Sequence, residues 1–372
     1  MEAAGLSGWR AECTRAVEPA RALSTEALIL ERTLSGLVTP GKSGTASANI
    51  RLVLTRNRIV IYPNDSSGKK AGRRASTKGG SGGRSPARSG WKPIDVLFGR
   101  PRDRLGNRWV YAAISQRARG LSIGVNLNPD KQCSFDCVYC EVDRDTPGRT
   151  GRVDVAVMAS ELERLLLLQQ EGKLSELDWF RNLPAELLEL KEVALSGYGE
   201  PTLCPNFDEV VREVLYLRST RKLPFFKTVL ITNGTGLDLP PVTAGLDLLC
   251  HQDEIWVKLD AGTQEYYEQV NRSSFPFWRI LANILAVSRK RAVIIQSLFP
   301  LLNGQEPPWE EIEEYAQRLK ELKAAGAQIS LVQVYSAHRP PHRPDCEHLA
   351  LKSLSRIASH VRTITGLRAE VF

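Results

Sequence analysis

The sequence predicts an α/β protein in which helices cover a largely parallel sheet. Two observations support this fold class: six short, β-rich apolar runs follow residue 91, and amphipathic segments with a helical period separate them. Strands that alternate with helices are typical of βαβ units. With right-handed crossovers, six strands form a partial (β/α)6 barrel or an open doubly wound sheet. In either architecture we expect the functional residues at the carboxyl ends of the strands.

The predicted elements follow one another in a regular order. The candidate strands are "LSIGVNL", "EVALSG", "KTVLITN", "EIWVKLD", "AVIIQSLF" and "QISLVQVY". The candidate helices between them are "VMASELERLLLLQQEG", "NFDEVVREVLYLRS", "YYEQV" followed by "FWRILANILAVSRK", and "PPWEEIEEYAQRLKELKAAG". The strand segments are short apolar runs, whereas the helical segments are longer and place apolar residues three or four positions apart.

The first 90 residues differ from the rest in composition. Residues 64–90 are rich in Gly and Ser and hold seven Lys or Arg against one Asp. Such a tract buries too little apolar surface to fold, so we expect a disordered linker, with an electrostatic arm for RNA as the alternative. Residues 1–63 form a poorly ordered extension of unknown role, in which "TEALILERTL" fits a short helix and "NIRLVLTRNRIVIYP" a strand or hairpin. Residues 91–372, with 35 basic and 36 acidic side chains, form the main domain.

No membrane segment or export signal is predicted. The densest apolar cluster, "LERLLLL", is interrupted by charge and is far shorter than the roughly 20 residues of a membrane span. The N-terminal "MEAAGLSGWRAEC" lacks the apolar core of a secretion signal. We therefore expect a cytoplasmic protein without a membrane partner.

Three of the seven cysteines, Cys133, Cys137 and Cys140, lie in the single stretch "NLNPDKQCSFDCVYCEVDR", directly after the first predicted strand. A disulfide is disfavoured in a chain without an export signal. Structural zinc usually takes four ligands in two close pairs, and the other cysteines are isolated from one another. The third alternative is a 4Fe-4S cluster with three thiolate ligands, which leaves one iron open for a non-protein ligand and so points to catalysis.

The motif "CSFDCVYC" resembles the CxxxCxxC signature of the radical S-adenosylmethionine (radical SAM) superfamily, with Tyr139 before the third cysteine. Residues 195–203, "LSGYGEPTL", are similar to the GGEP-type motif of that superfamily, and residues 231–236, "ITNGTG", to its TNG segment. The resemblance covers residues 91–372 and implies a partial (β/α)6 barrel of radical SAM type. The motifs are most similar to the group that contains the wyosine-type tRNA-modifying enzymes and unassigned bacterial relatives. Unlike those enzymes, this chain has only Cys13 before the motif and no second cysteine set.

The resemblance implies a set of ligands. The three cysteines hold a 4Fe-4S cluster, and the amine and carboxylate of S-adenosyl-L-methionine (SAM) bind its fourth iron. Tyr139 lies near the adenine, and Glu200 pairs with the ammonium group of SAM. The remaining cofactor-binding residues implied by the motifs are Gly197, Gly199, Pro201, Thr232 and Asn233.

The implied activity is the reductive cleavage of SAM. It yields methionine and a 5′-deoxyadenosyl radical, which abstracts hydrogen from a substrate that the sequence does not identify. No electron-transfer module is recognisable, so an external donor such as flavodoxin or ferredoxin is expected. Two alternatives remain. One is a non-catalytic iron–sulfur scaffold or sensor, and the other is a wyosine-type enzyme that docks tRNA through its basic N-terminal arm.

Polar residues near later strand ends are further candidates. Lys258 and Asp260 alternate along "WVKLDAG" and so share one face of the strand, where they are either catalytic or a structural ion pair. Gln296, Gln333 and Tyr335 are predicted to line the cofactor pocket.

The segment "HRPPHRPDCEH" brings four metal-type side chains together in sequence. Its prolines favour a solvated loop over a metal site. The four side chains are His338, His342, Cys346 and His348.

Overall fold

The structure is a computed structural model that describes two units of the chain. Side chains are described for residues 106–148, 152–177, 180–181, 183–220, 223 and 225–372, and the backbone for three strands before residue 64. Contacts divide the chain into the compact units Met1–Trp91 and Lys92–Phe372. The predicted linker at residues 64–90 lies outside the described residues, and the division at residues 63 and 90 stays a prediction.

The first unit contains an antiparallel sheet of three strands. They are β1 (Leu28–Glu31), β2 (Ile50–Thr55) and β3 (Arg58–Pro63), in that spatial order. The pairing of β2 with β3 confirms the predicted hairpin. The short helix predicted around Leu28 was wrong, because the apolar run "LILE" pairs along its length with β2, from Leu28 opposite Leu54 to Glu31 opposite Arg51. A partner strand here outweighs local helix propensity.

The second unit is built on an eight-stranded sheet with the order β13-β11-β9-β8-β7-β6-β5-β4. All neighbours are parallel except the edge pair β4 and β5. The strands are β4 (Val110–Ser115), β5 (Gly120–Asn126), β6 (Leu190–Ser196), β7 (Thr228–Thr232), β8 (Glu254–Lys258), β9 (Val293–Leu298), β11 (Ile329–Tyr335) and β13 (Ala369–Val371). The six predicted strands form the centre of this sheet. The α/β fold class is therefore confirmed, and the edge strands β4 and β13 are additions that the sequence analysis missed.

Helices connect the strands of the second unit. They are α1 (Val155–Gln170), α2 (Phe207–Ser219), α3 (Pro240–Asp247), α4 (Gln264–Asn271), α5 (Phe277–Ser288), α6 (Trp309–Ala324) and α7 (Leu351–Thr365). Every predicted helical segment of this unit forms a helix, and α3 and α7 are new. A short antiparallel pair, β10 (Pro300–Leu301) with β12 (Glu347–His348), lies outside the main sheet. None of the helices that the structure describes is long and apolar enough to cross a membrane.

One face of the sheet changes from apolar to polar along the strands. Val229, Trp256 and Ile294 form a buried apolar cluster near the strand starts. Two residues further along, Lys258 pairs in register with Gln296, and Gln296 with Gln333. Because side chains two apart in a strand share a face, this polar row continues the apolar layer towards the carboxyl ends.

The edge strand β4 covers its neighbour through one aromatic ring. Tyr111 lies opposite Gly124, and a Cβ atom on Gly124 would be 2.0 Å from the Cζ atom of that ring. The Tyr111 hydroxyl shares a 2.7 Å hydrogen bond with the Ser196 Oγ atom at the end of β6. The Tyr111 ring therefore occupies the space that a side chain at position 124 would fill.

We expect Gly124→Ala to destabilise the protein by about 1–3 kcal/mol, because the new methyl group overlaps the Tyr111 ring. In a Tyr111→Ala background the same substitution should cost close to nothing. Urea unfolding of the two single variants and the double variant measures the coupling between the sites. Equal costs of Gly124→Ala in both backgrounds would contradict this packing.

Candidate cluster and cofactor site

The loop with the three cysteines leaves the carboxyl end of β5 and is pinned to the last turn of α4. The Asp136 amide donates to the Asn271 carbonyl at 3.0 Å, and the Val138 amide to the Val270 carbonyl at 2.9 Å. These bonds lie on either side of Cys137. Main-chain pairing thus fixes the centre of the loop.

Apolar contacts with α4 also hold the cysteine loop in place. The Phe135 ring packs edge-on against Tyr267 of α4 with ring centres 5.4 Å apart. Phe135 and Val138 are both buried. The Cys140 amide donates to the Cys137 carbonyl at 2.9 Å and closes a tight turn between those two cysteines. The two apolar residues between the cysteines are therefore buried, and the three cysteines are half-buried.

All three thiols of the motif are free. Burial, with the nearby charge of Glu200, raises the pKa of Cys133 to about 11, and burial, with the charge of Asp260, raises the pKa of Cys137 to about 12. These two thiols are therefore protonated at neutral pH until a metal binds. Thiolate ligation must release the protons.

A second group of metal-type side chains follows the cysteine motif. Asp143, Asp145 and His342 each place one ligand atom within 4.8 Å of the other two.

The glycine-rich turn after β6 lies directly against the cysteine loop. The Glu200 amide donates to the Gln132 carbonyl at 2.8 Å, and a Cβ atom on Gly199 would be 1.8 Å from that carbonyl oxygen. A Cβ atom on Gly197 would be 2.4 Å from the Asn126 Oδ1 atom. Pro201 then begins the short 3-10 helix Pro201–Leu203. Glycine at 197 and 199 is required for this close approach.

The Glu200 carboxylate joins the glycine-rich turn to the TNG turn after β7. Its Oε1 atom accepts from the amide and hydroxyl of Thr202 and from the hydroxyl of Thr232, and its Oε2 atom accepts from the Asn233 amide at 2.7 Å. Burial raises the pKa of Glu200, although these donors oppose the shift. The predicted pairing with the SAM ammonium group stays a prediction, and the structure adds a second task, which is to hold two turns together.

The TNG turn in turn contacts the cysteine loop. The Asn233 Nδ2 atom donates to the Ser134 Oγ atom at 3.0 Å and lies 3.7 Å from the Cys133 Sγ atom. The Ser134 and Thr235 hydroxyls share a 2.6 Å hydrogen bond. Asn233 therefore lies beside Cys133, and Thr232 contacts Glu200. The contact of both residues with SAM stays a prediction.

Asp260 is a second buried carboxylate near the cysteines with several hydrogen-bond donors. Its Oδ2 atom accepts from the Tyr139 hydroxyl and, at 2.8 Å, from the Asn271 Nδ2 atom. Its Oδ1 atom accepts from the Leu298 amide at 2.8 Å and lies 3.3 Å from the Lys258 Nζ atom. The Asp260 side chain is fully buried. The structure thus forms the ion pair that was one of two alternatives for these residues, and their catalytic role stays a prediction.

Lys258 lies between two aromatic rings. Its Nζ atom is 4.8 Å from the ring centre of Tyr139 and donates to the Tyr335 hydroxyl at 2.9 Å. Burial lowers the pKa of Lys258, but the charge of Asp260 and its neighbours outweighs burial and the pKa is raised overall. Lys258 therefore carries a positive charge at neutral pH.

The two predicted glutamines bind each other. The Gln296 Nε2 atom donates to the Gln333 Oε1 atom at 2.8 Å, and both side chains are buried. The pair lies beside Lys258 in the polar row. Their assignment to the cofactor pocket stays a prediction.

The C-terminal segment is a loop, as expected, and most of its residues are exposed or half-buried. The His342 amide donates to the Cys140 carbonyl at 2.7 Å, and the buried Cys346 Sγ atom lies 3.6 Å from the Val138 carbonyl oxygen. The loop thus also contacts the cysteine loop, which the sequence did not predict. The ring centres of His338 and His348 lie 4.5 Å apart, while the His342 Nε2 atom lies 3.3 Å from Asp143 and 3.1 Å from Asp145.

Two residues of the site carried no recognisable signal in the sequence. Asn271 ends α4, and its Nδ2 atom lies 3.4 Å from the Cys137 Sγ atom. Arg144 follows Cys140 by four residues, and its Nη2 atom lies 3.7 Å from the Cys140 Sγ atom. The one feature that could have pointed to a role for Arg144 is its position four residues after Cys140.

Two bacterial relatives of this chain carry the name UPF0026, which assigns no activity. The UPF0026 protein of Helicobacter pylori (strain J99) is 26% identical over 247 residues, which cover 64% of this chain and 71% of that protein. UPF0026 protein slr1464 of Synechocystis sp. is 28% identical over 164 residues, which cover 44% of this chain and 52% of that protein.

Two solved structures are similar to this chain at low sequence identity. A radical SAM methyltransferase from Sphaerobacter thermophilus has a TM-score of 0.49 and 16% identity, covering 71% of this chain and 68% of that chain. A structure of TYW1 with a lysine-pyruvate adduct bound has a TM-score of 0.43 and 18% identity, covering 67% of this chain and 74% of that chain.

A family match covers the site itself. The family described as the Radical SAM superfamily matches residues 127–319, just over half of the 372-residue chain. The matched range contains the three cysteines, both turns that contact them and the Lys258–Asp260 pair. The chain therefore belongs to the radical SAM superfamily.

Proposed function

We propose that this protein is a radical SAM enzyme that cleaves SAM reductively at a 4Fe-4S cluster held by Cys133, Cys137 and Cys140. The observation that carries the proposal is the convergence of three free, half-buried thiols with the Gly197–Gly199 turn and the Thr232–Asn233 turn. When bound, the cluster and SAM supply a 5′-deoxyadenosyl radical that abstracts hydrogen from substrate. A cluster with three protein ligands leaves one iron for SAM.

The residues of the chain prepare the site for this chemistry. The close approach at Gly199 puts main-chain groups of residues 197–200 beside the cysteine loop, where they can meet the methionine end of SAM. The Glu200 carboxylate holds the second turn in place. Tyr139, anchored on Asp260, offers a ring face for the adenine. Such positioning reduces the entropy lost when the cofactor binds.

The polar row is the proposed substrate side of the site. Lys258 keeps 15% of its side chain exposed and stays charged beside Tyr335, while Asp260 is fully buried. A cation at the carboxyl ends of the strands favours substrates with anionic or carbonyl groups. The substrate itself stays unidentified.

Two partners are proposed from the sequence. An external one-electron donor of the flavodoxin or ferredoxin type would reduce the cluster, because the described residues include no electron-transfer module. A tRNA substrate would fit the basic composition of residues 64–90, since Lys and Arg bind the phosphate backbone.

The protein should bind about four irons per chain after anaerobic reconstitution and produce 5′-deoxyadenosine from SAM with dithionite as reductant. Cys133→Ala, Cys137→Ala and Cys140→Ala should each abolish the product, because one cluster ligand is lost. Cys204→Ala is the matched control, since this buried thiol lies outside the motif. Iron analysis and product chromatography measure both effects. Full zinc occupancy without iron loading would refute the proposal.

Glu200→Gln should lower SAM affinity at least tenfold. A glutamine Nε2 atom cannot accept a hydrogen bond, so one buried donor on the two turns loses its partner, at a cost of about 1–3 kcal/mol. The iron content should not change, because Glu200 is not a proposed ligand. Equilibrium binding of SAM to the reconstituted protein gives the measurement.

Thr202→Val separates the two tasks of Glu200. It removes one hydroxyl donor to the carboxylate and leaves the charge intact. Weaker SAM binding in both variants indicates that Glu200 acts by holding the turns, whereas a loss confined to Glu200→Gln indicates direct pairing with the ammonium group. Wild-type affinity for SAM in both variants would refute both roles.

A chain of residues 92–372 should hold the cluster and cleave SAM at the wild-type rate, because the site lies within that unit. If tRNA docks through the basic segment, the same truncation should weaken tRNA binding at least tenfold at low salt. Filter binding at two salt concentrations checks this. A truncated chain unable to hold iron would contradict the first expectation, and unchanged tRNA affinity the second.

A further inference from the structure

Each thiol of the cysteine motif has its own side-chain N–H neighbour. The Asn233 Nδ2 atom lies 3.7 Å from Cys133 Sγ, and the Asn271 Nδ2 atom lies 3.4 Å from Cys137 Sγ. The Arg144 Nη2 atom lies 3.7 Å from Cys140 Sγ. The three donors come from three separate parts of the chain: the TNG turn, the end of α4 and the loop after the motif.

The two asparagine donors are held in orientation by other contacts. The Asn233 Oδ1 atom accepts from the amide and hydroxyl of Thr235 at 3.0 and 2.8 Å, which points its Nδ2 atom to the cysteine loop. The Asn271 Nδ2 atom also donates to Asp260 at 2.8 Å, and the Asn271 side chain is buried. Their amide groups cannot be turned over without breaking these bonds.

Arg144 is held in the same way. Its Nη1 atom donates to the Lys131 carbonyl at 2.5 Å. Its Nε atom is buried without a hydrogen-bond partner among the described residues. An unsatisfied buried donor costs free energy, so a guanidinium in this position calls for a compensating interaction. Three thiolates bound to iron would supply it.

Donors to cluster thiolates have a known electrostatic consequence. Reduction adds one negative charge to the cluster, and N–H groups that point at the sulfurs stabilise that charge. A charged donor acts more strongly than a neutral amide. Arg144 should therefore matter most, and the two asparagines less.

We propose that Arg144, Asn271 and Asn233 are positioning residues that raise the reduction potential of the cluster, each through one N–H donor to one ligand thiolate. This inference rests on the proposed function, because it assumes that the cysteines hold a cluster. It assigns a task to three residues that neither bind iron nor touch the reacting bond. The cluster would thereby be reducible by a milder electron donor.

The test is a redox titration of the reconstituted full-length protein without SAM, followed by electron paramagnetic resonance of the reduced cluster. Arg144→Gln should keep about four irons per chain and lower the midpoint potential of the cluster. At a fixed potential the oxidised-to-reduced ratio should then rise at least tenfold, which equals a shift of about 59 mV for one electron. Asn271→Leu should shift the midpoint in the same direction by less.

Arg343→Gln is the matched control. Arg343 lies beside the same loop and pairs with Asp136 at 3.1 Å and Asp145 at 2.9 Å, but it donates to no cysteine sulfur. Its substitution therefore removes one positive charge and leaves every donor to the thiolates in place. At the same fixed potential, the oxidised-to-reduced ratio of Arg343→Gln should stay within a factor of two of the wild-type ratio. An equal shift in Arg343→Gln, or a wild-type midpoint in both Arg144→Gln and Asn271→Leu, would overturn the inference. Loss of iron in both of those variants would overturn it as well, because the donors would then hold the loop and not tune the cluster.

The outcome separates this inference from the proposed function. Unchanged midpoints in both Arg144→Gln and Asn271→Leu, together with normal cleavage of SAM by the wild type, refute the inference and leave the proposed function standing. The predicted shift in a protein that holds four irons but yields no 5′-deoxyadenosine refutes the proposed function and leaves the inference standing.

Discussion

The site depends on the contact between the cysteine loop and the end of helix α4. The bonds from Asp136 and Val138 to the α4 carbonyls fix the main chain of the loop, and the buried Phe135 ring packs on the same helix. The same helix end contributes Asn271, whose side chain links Cys137 to Asp260. Asp260 in turn sets the places of Tyr139 and Lys258. One helix terminus thus joins the proposed cluster ligands to the proposed substrate side.

Buried polar groups concentrate around this contact. Asp260 is fully buried and saturated by Tyr139, Asn271, Lys258 and a main-chain amide, and Glu200 is buried and saturated by two turns. Buried carboxylates are costly unless every lone pair finds a donor. Networks of this kind hold loops in one arrangement, which a site for a large cofactor requires.

The sequence predicted the parts of the site that are local. Cysteine spacing and glycine turns are short-range signals, and the alternation of strands and helices placed them correctly at the ends of β5, β6 and β7. Contacts between distant residues left no such trace: Asn271 meets Cys137 across 134 positions of sequence. The short helix expected around Leu28 was wrong for the same reason, since a partner strand decides that conformation.

The central claim is that three cysteines hold a four-iron cluster with one iron left for SAM. Mössbauer spectroscopy of protein reconstituted with ⁵⁷Fe tests it most directly, because each iron contributes separately to the spectrum. If Cys133, Cys137 and Cys140 are the ligands, addition of SAM should shift about one quarter of the absorption and leave the rest unchanged. A spectrum in which SAM changes none of the iron, or in which the chain holds no four-iron cluster at all, would contradict the account.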